Sequence, residues 1–270
     1  MPAGSRNEAA EVIDLTTRSA LVTGAGRGIG RAVAVALAEH GCRVAVNDLT
    51  ADRVEETASM IERLGGDVII AAGDVSSSAT VETAVATVRE AFGDVDILVN
   101  NAGVISALLM EDIGDEEWDR VLRVNLTGVF YLCRAVVPRM KERGSGRVIN
   151  IASNAAKTAE KLLTHYSASK FGVLGFSQAL ALELAPHHVN VNCVCPVWCN
   201  TDMMADMAPV YASFEGRSPE QLLAEWRTQN PWGRTALPTD VAKACVFLAS
   251  DYAEFITGQG LNVSGGEEVH

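Results

Sequence analysis

Short, near-continuous apolar runs recur along this chain, at residues 20–22, 44–46, 68–71, 97–99, 148–151 and 189–194, rich in Val and Ile. A strand that shows one face to water alternates apolar with polar, whereas a run that is apolar throughout needs cover on both faces. Helical patterns separate the runs, at 28–39, 51–64, 79–92, 116–143 and 167–184, with a further helix from about Thr239. Right-handed crossovers between parallel strands lay such helices on each side of a sheet. The expected fold class is therefore α/β: one doubly wound domain with a central parallel sheet and helices on both faces.

The domain is expected to span 18–270. Residues 1–17 hold Glu8, Glu11 and Asp14 with no apolar segment, so they read as a frayed extension, not a secretory signal or a transit peptide. Residues 201–228 are helical in composition but interrupted by Pro209, Gly216 and Pro219, and read as a flap inserted between the sixth strand and the last helix. A net charge of -12 excludes a nucleic-acid partner, because phosphate neutralisation needs clustered Lys and Arg. The unbroken apolar runs, such as 32–38 and 68–72, are too short to cross a bilayer, so no membrane partner is expected. Six cysteines without a signal sequence fit the cytoplasm better than a disulfide framework. Cys193, Cys195 and Cys199 cluster, but no CxxC pair and no His-x3-His pair accompanies them, so no metal is expected.

After the first run comes Thr23-Gly24-Ala25-Gly26-Arg27-Gly28-Ile29-Gly30, then a helix beginning at Arg31-Ala32-Val33. Glycines at such a turn let backbone approach a pyrophosphate, whose charge is met by the helix N-terminus. The Gly-x3-Gly-x-Gly spacing departs from G-x-G-x-x-G, and it is the strand-turn-helix setting that makes it a dinucleotide loop. Asp48 closes the second run, where a carboxylate can accept both adenosine ribose hydroxyls and repel a 2′-phosphate, favouring NAD over NADP. Arg27 pulls the other way, as a guanidinium able to greet that phosphate. Asp48 has a plainer alternative, as a cap for the helix from residue 51.

Tyr166 and Lys170 stand at i and i+4, on one helix face. A free phenol is a weak base at neutral pH, with a pKa of ~10. A neighbouring ammonium is expected to lower it and make the pair a proton-transfer device. Ser153 ends the fifth run, at the carboxyl edge where open parallel sheets place ligands. His165, beside the tyrosine, is an alternative base, with a plainer role as a polar residue of the first helical turn.

Taken in order, the glycine loop, Asn100-Asn101-Ala102-Gly103, Asn125, Ser153 and Tyr166-x3-Lys170 resemble the short-chain dehydrogenase/reductase family, over about 17–266. The resemblance implies a Rossmann fold and an oxidoreductase that moves hydride between NAD(H) and a secondary alcohol or ketone. It implies Tyr166 as acid/base, Lys170 on the nicotinamide ribose, Ser153 on the substrate oxygen, and Asn125 holding a water linked to Lys170. Asp74 and Val75 resemble the adenine-contacting pair, and Asn101 the turn shaping the cofactor floor. The expected cofactor set is Gly24, Arg27, Gly28, Ile29, Gly30, Asp48, Asp74, Val75, Asn101, Ala102, Gly103, Tyr166, Lys170, Pro196, Cys199 and Thr201. The expected substrate pocket is Ser153, Ala155, Leu162, Leu163 and Trp198, with residues 203–227 of the flap.

Two positions depart from the family pattern. Val197 stands where glycine is usual and lacks its freedom at positive φ, which puts the cofactor floor in question. Ser264 replaces a frequent Asp, a change expected to concern packing. The helices around 118–143 and 166–184 resemble those that pair subunits, implying a homotetramer. A small alcohol or ketone is the expected partner: a polyol, a sugar or a bulkier hydrophobic alcohol. Alternatives are an NADPH-dependent 3-oxoacyl-carrier reductase, a dehydratase or epimerase, and a dinucleotide sensor without catalysis, which has no need of the four residues Asn125, Ser153, Tyr166 and Lys170.

Overall fold

The computed structural model describes residues 13–270. Its strands are β1 (Ser19–Thr23), β2 (Arg43–Asn47), β3 (Val68–Ile70), β4 (Ile97–Asn100), β5 (Gly146–Ile151), β6 (Val189–Pro196) and β7 (Gly260–Val263). They form one sheet in the order β3-β2-β1-β4-β5-β6-β7, with every neighbouring pair parallel. Six strands come from the apolar runs; β7 carries Asn262 and only partial burial, so hydropathy does not mark it.

The near-continuous runs follow from two separate cores. Ala20 and Val22 of β1, Val44 and Val46 of β2, and Ile97 and Val99 of β4 enter the first, under α1 (Gly28–Glu39), α2 (Glu55–Arg63) and α9 (Pro238–Ala249). Leu21, Ala45 and Leu98 between them enter the second, under α3 (Ser78–Phe92), α5 (Gly128–Arg143) and α6 (Thr164–Leu184). Successive side chains of a strand point to opposite faces, so each strand residue is claimed by one core or the other. A buried polar link crosses the sheet as well: Asn100 Nδ2 donates to Asn150 Oδ1 at 2.7 Å, and Asn150 Nδ2 to Ser177 Oγ of α6 at 2.7 Å. It ties β4, β5 and α6 in one register, since any slip would leave buried amides unpaired.

Four expectations change. The helix expected over 51–64 is a 3-10 turn, Ala51–Arg53, followed by α2 from Glu55, with fully buried Val54 turned into the core between them. The helix expected over 116–143 is α4 (Asp115–Leu122), a π-helical turn at Arg123–Thr127, then α5. In the flap, α7 (Asp202–Glu215) runs straight through Pro209, whose exposed ring leaves Met204, Met207, Ala208 and Tyr211 buried on the opposite side. Gly216, at φ +66°, ends α7, and a Ser218–Gln221 capping box starts α8 (Pro219–Gln229). Finally, Asp115–Arg143 does have the length and composition to cross a membrane. Leu132, Val136 and Met140 of this stretch are instead buried in the second core.

Residues 1–12 of the expected extension lie outside the described residues. Of the remainder, Leu15 is buried and its N–H donates to the His40 carbonyl at 2.8 Å. Strands β1 and β4 are neighbours, so the chain winds one way from β1 to β3 and the other way from β4 onward. That reversal opens a crevice at the carboxyl ends of the strands, where open α/β sheets take ligands.

Candidate active site

One continuous cavity of about 320 Å³ occupies the crevice, running from Gly24 and Asp48 to Ser153, Tyr166 and Trp198. The glycine turn forms its floor. Gly24 and Gly28 hold φ of +61° and +55°, a region L side chains avoid. A Cβ on Gly30 would sit 2.1 Å from the Gly24 carbonyl oxygen, so Gly30 is there for close packing under the turn and does not line the cavity. The first turn of α1 has neither a capping side chain nor an acid, which leaves its N–H groups for an anionic group. Asn101 clasps the turn from β4, its Nδ2 donating to the carbonyls of Thr23 and Gly24 at 2.9 and 3.1 Å.

Asp48 accepts from the N–H of Leu49 at 2.9 Å and of Gly26 at 3.3 Å, and its side chain faces the cavity. It caps no helix: Thr50 holds the N-cap position of the 3-10 turn, without a side-chain bond. Arg53, which nothing in the sequence pattern singles out, lies 3.5 Å from Asp48 and lines the same end. Arg27 is engaged at the rim by Asp202, at 3.2 Å. Ile29, Asp74, Val75, Ala102, Gly103, Pro196, Cys199 and Thr201 also line the cavity. Val197 is not at positive φ, since Leu162 and His188 are the only non-glycine residues so placed among the described residues, and the floor needs no glycine there.

Tyr166 and Lys170 are both buried on α6 and face the cavity. Ser153 lies just past β5 and caps a 3-10 turn, Asn154–Ala156; its Oγ accepts from the N–H of Ala155 at 3.1 Å and donates to Asn154 Oδ1 at 3.0 Å. The electrostatics depart from expectation. Burial pushes the Tyr166 phenol up to about 12, the hydrogen bond with Ser153 opposes this, and the Glu160 carboxylate adds to it. Lys170 does not lower the phenol: its Nζ donates to the Ile151 carbonyl at 2.8 Å and lies 5.6 Å from the Tyr166 ring centre. Burial brings the Lys170 ammonium itself down to about 8. At neutral pH the phenol is therefore protonated and the ammonium is close to releasing its proton.

Asn125 lies behind the cavity. The π-helical turn aims its amide at loop 101–109, where Oδ1 accepts from Val104 N at 2.8 Å while Nδ2 donates to Val104 O at 2.9 Å and to Ser169 Oγ at 3.0 Å. His165 turns away, fully buried, with Nε2 2.7 Å from Ser106 Oγ and its basicity lowered by burial. Ala155, Leu163 and Trp198 line the substrate end; Leu162 does not, its strained φ of +66° turning the chain so that its carbonyl accepts from Leu108 N at 2.9 Å. Met203 and Met204 of the flap join them. Trp198 stacks on Trp226 of α8 at 4.4 Å, with Tyr211 edge-on to both rings. Sequence reading missed Val104, Ile105, Asn154 and Glu160, which sit on loops and carry no periodic signal. Ser264 does not line the cavity, and its Oγ donates to the Glu268 carbonyl at 2.9 Å.

A buried ammonium whose pKa is depressed costs stability while both folded and unfolded chains hold the proton. The cost fades as pH rises from about 8 toward 10.5, the ordinary value of a lysine ammonium. Lys170→Met removes that cost at neutral pH but leaves the Ile151 carbonyl without its donor. The expected net gain is on the order of 1–2 kcal/mol, or roughly 3–6 °C in Tm at pH 7, shrinking between pH 8 and 10.5. Scanning calorimetry at the two pH values checks this, and a Tm loss at pH 7 contradicts it.

Residues 18–211 match the family model described as short chain dehydrogenase. The chain is 40% identical over 258 residues to a D-threitol dehydrogenase of Mycolicibacterium smegmatis, covering 94% of each. It is 35% identical over 254 residues to a 3-oxoacyl-acyl-carrier-protein reductase of Chlamydia pneumoniae, covering 94% of this chain and 98% of that one. The crystal structure of a variant of actinorhodin polyketide ketoreductase with NADPH superposes with a TM-score of 0.92 at 38% identity, covering 96% of this chain and all of that one.

Proposed function

Because the chain belongs to the short-chain dehydrogenase family, and so is an oxidoreductase acting on alcohol or ketone groups with NAD(P)(H), we propose that it transfers hydride between NAD(H) and a secondary alcohol or its ketone. The observation that carries this reading is the single cavity that joins the glycine turn and Asp48 to Ser153, Tyr166 and Lys170. The uncapped start of α1 suits a pyrophosphate and the Asp48 carboxylate suits ribose hydroxyls, so the residues present fit a dinucleotide. When bound, that cofactor accepts or supplies the hydride.

The chain supplies the proton chemistry. In the reducing direction Tyr166, protonated up to about 12, donates to the carbonyl oxygen; in the oxidising direction the hydroxyl proton goes to the phenolate, once the phenol has passed its own proton toward neutral Lys170. Ser153, beside the phenol, holds the same oxygen by hydrogen bonding. Lys170, at about 8, holds the nicotinamide ribose and is placed to refill the phenol's proton without building up buried charge. Asn125 fixes loop 101–109 against α6 and so holds the floor near Lys170. Burial of the reacting group among Leu163, Trp198 and Met204 excludes water.

Asp48 supports NAD over NADP, and Arg27, which pulls the other way, is shared at the rim with Asp202. A largely apolar wall favours a bulky alcohol or a polyol with an apolar side over an open-chain sugar. Residues 201–228 form the flap over this wall. Phe130 on α5 and Phe171 and Leu182 on α6 are exposed, which supports subunit pairing through these helices in a homotetramer. Six free, buried cysteines fit a reducing cytoplasm.

The test follows NADH absorbance with a panel of secondary alcohols and ketones, run with NAD and NADP in parallel. Turnover with NAD is expected. Turnover of 3-oxoacyl thioesters with NADPH alone would point to the carrier-protein reductase reading that the relatives raise. Substrate conversion with no net NADH change would point to a dehydratase or epimerase, and no conversion at all to a sensor.

A further inference from the structure

Glu160 sits on the loop between β5 and α6, half-buried, in the wall that separates the cavity from a second hollow of about 270 Å³ beside Trp198, Tyr211 and Trp226. Its surroundings are unlike those of the other carboxylates at the mouth. Asp202 is engaged by Arg27, and Glu215 by Lys161 at 2.8 Å. Glu160 has no cation partner among the described residues; its Oε1 accepts one hydrogen bond, from Asn154 Nδ2 at 2.9 Å. Lys157 is spent on the Gly260 carbonyl at 2.8 Å.

A carboxylate drawn out of water with most of its lone pairs unused carries a desolvation cost that the one Asn154 hydrogen bond offsets only in part. That burial, with Glu267 adding to it, pushes the Glu160 carboxyl up. The position of the carboxylate gives the cost a purpose. Asn154 bridges it to Ser153, with Ser153 Oγ donating to Asn154 Oδ1 at 3.0 Å, so Glu160 stands one amide side chain away from the hydroxyl beside Tyr166. Trp198, Tyr211 and Trp226 form the aromatic part of that wall, and Lys161 and Glu215 beyond it are paired with each other, so a substrate group on a carbon near the reacting one meets Glu160 as a polar neighbour without a cation partner.

We propose that Glu160 determines specificity, by accepting a hydrogen bond from a donor group carried one or two carbons from the reacting carbinol or carbonyl carbon. The preferred substrate is a hydroxylated secondary alcohol or hydroxyketone with an apolar or aromatic remainder, rather than a simple alcohol of the same skeleton. The donor is a hydroxyl or an ammonium, which share this chemistry. A site built to bond a substrate hydroxyl leaves its own polar group unpaired when the analogue lacks one, which is how large discrimination arises.

This inference rests on the alcohol dehydrogenase reading above, and the test separates the two. The probes are 1-phenylpropan-1-ol, 1-phenylpropane-1,2-diol, 1-phenylpropane-1,3-diol and 2-amino-1-phenylpropan-1-ol, each assayed for kcat/KM with NAD. The wild type should prefer one of the hydroxylated or amino compounds over the plain alcohol by on the order of 10-fold or more. In Glu160→Leu that ratio should collapse to about one. Glu160→Gln keeps an oxygen acceptor but no charge, so it should retain the preference for a diol and lose that for the amine. A wild type that favours the plain alcohol overturns the proposal. So does an E160L variant that keeps the ratio, or that loses activity equally on every probe, which would make Glu160 only a support for Asn154 and Ser153. A wild type that turns over none of the probes, nor any alcohol or ketone of the wider panel, overturns the underlying reading as well.

Discussion

Tyr166→Phe should lower kcat by roughly 10²- to 10⁴-fold, the span expected when a positioned proton donor is lost from a transition state. NADH affinity, read by fluorescence titration, should change little, because the ring stays in place and only its hydroxyl goes. The hydroxyl faces the cavity from a buried ring, and its proton is held up to about 12. Neither neighbouring base offers the same proton. His165 is buried against Ser106 and Glu117, and Lys170 is turned to the Ile151 carbonyl. A variant with a near-native rate would remove Tyr166 from the chemistry altogether.

The second large effect concerns the cofactor. Wild-type kcat/KM should favour NAD over NADP by on the order of 10²-fold, since a carboxylate a few ångströms from a 2′-phosphate repels it by several kcal/mol before screening. Arg53, 3.5 Å from Asp48, supplies part of that screening. In Asp48→Ala the repulsion disappears while Arg53 remains at the cavity wall, so the ratio should fall by about 10²-fold, approaching parity or inverting. KM for NAD should also rise, because Asp48 holds the glycine turn through Gly26 N. Parallel assays with both cofactors read this directly. If the wild type prefers NADP, or the ratio is unmoved in D48A, the ribose argument fails.

The sheet was legible because a strand claimed by two cores is apolar at most of its positions, which is why Leu21 and Val22 are both apolar. The site was legible where chemistry depends on local spacing: the glycines of the turn, and Tyr166 four residues before Lys170. What escaped depends on distant partners. Arg53 matters only because β2 and the following turn fold it against Asp48. The phenol was expected to be lowered by its neighbour, yet the depth of α6 against the sheet lets burial prevail, and depth is not written in a four-residue spacing. Glu160 looked like any loop acid until Asn154 and the aromatic wall closed around it. Pro209 looked like a break, but an exposed proline on the solvent side of α7 leaves the packed side continuous.

The π-helical turn at Arg123–Thr127 has a geometric consequence. Such a turn takes in about one residue more than an α-helix would, and one residue advances an α-helix by about 100°. The apolar stripe of α5 is thereby out of phase with that of α4, so the two segments answer to different neighbours although the chain passes between them without a loop. Changes of length or composition in α4 need not rotate α5 within its core. The bulge acts as a clutch between a rim free to vary and an interior that must hold still, with Asn125 as the tooth that keeps the two engaged.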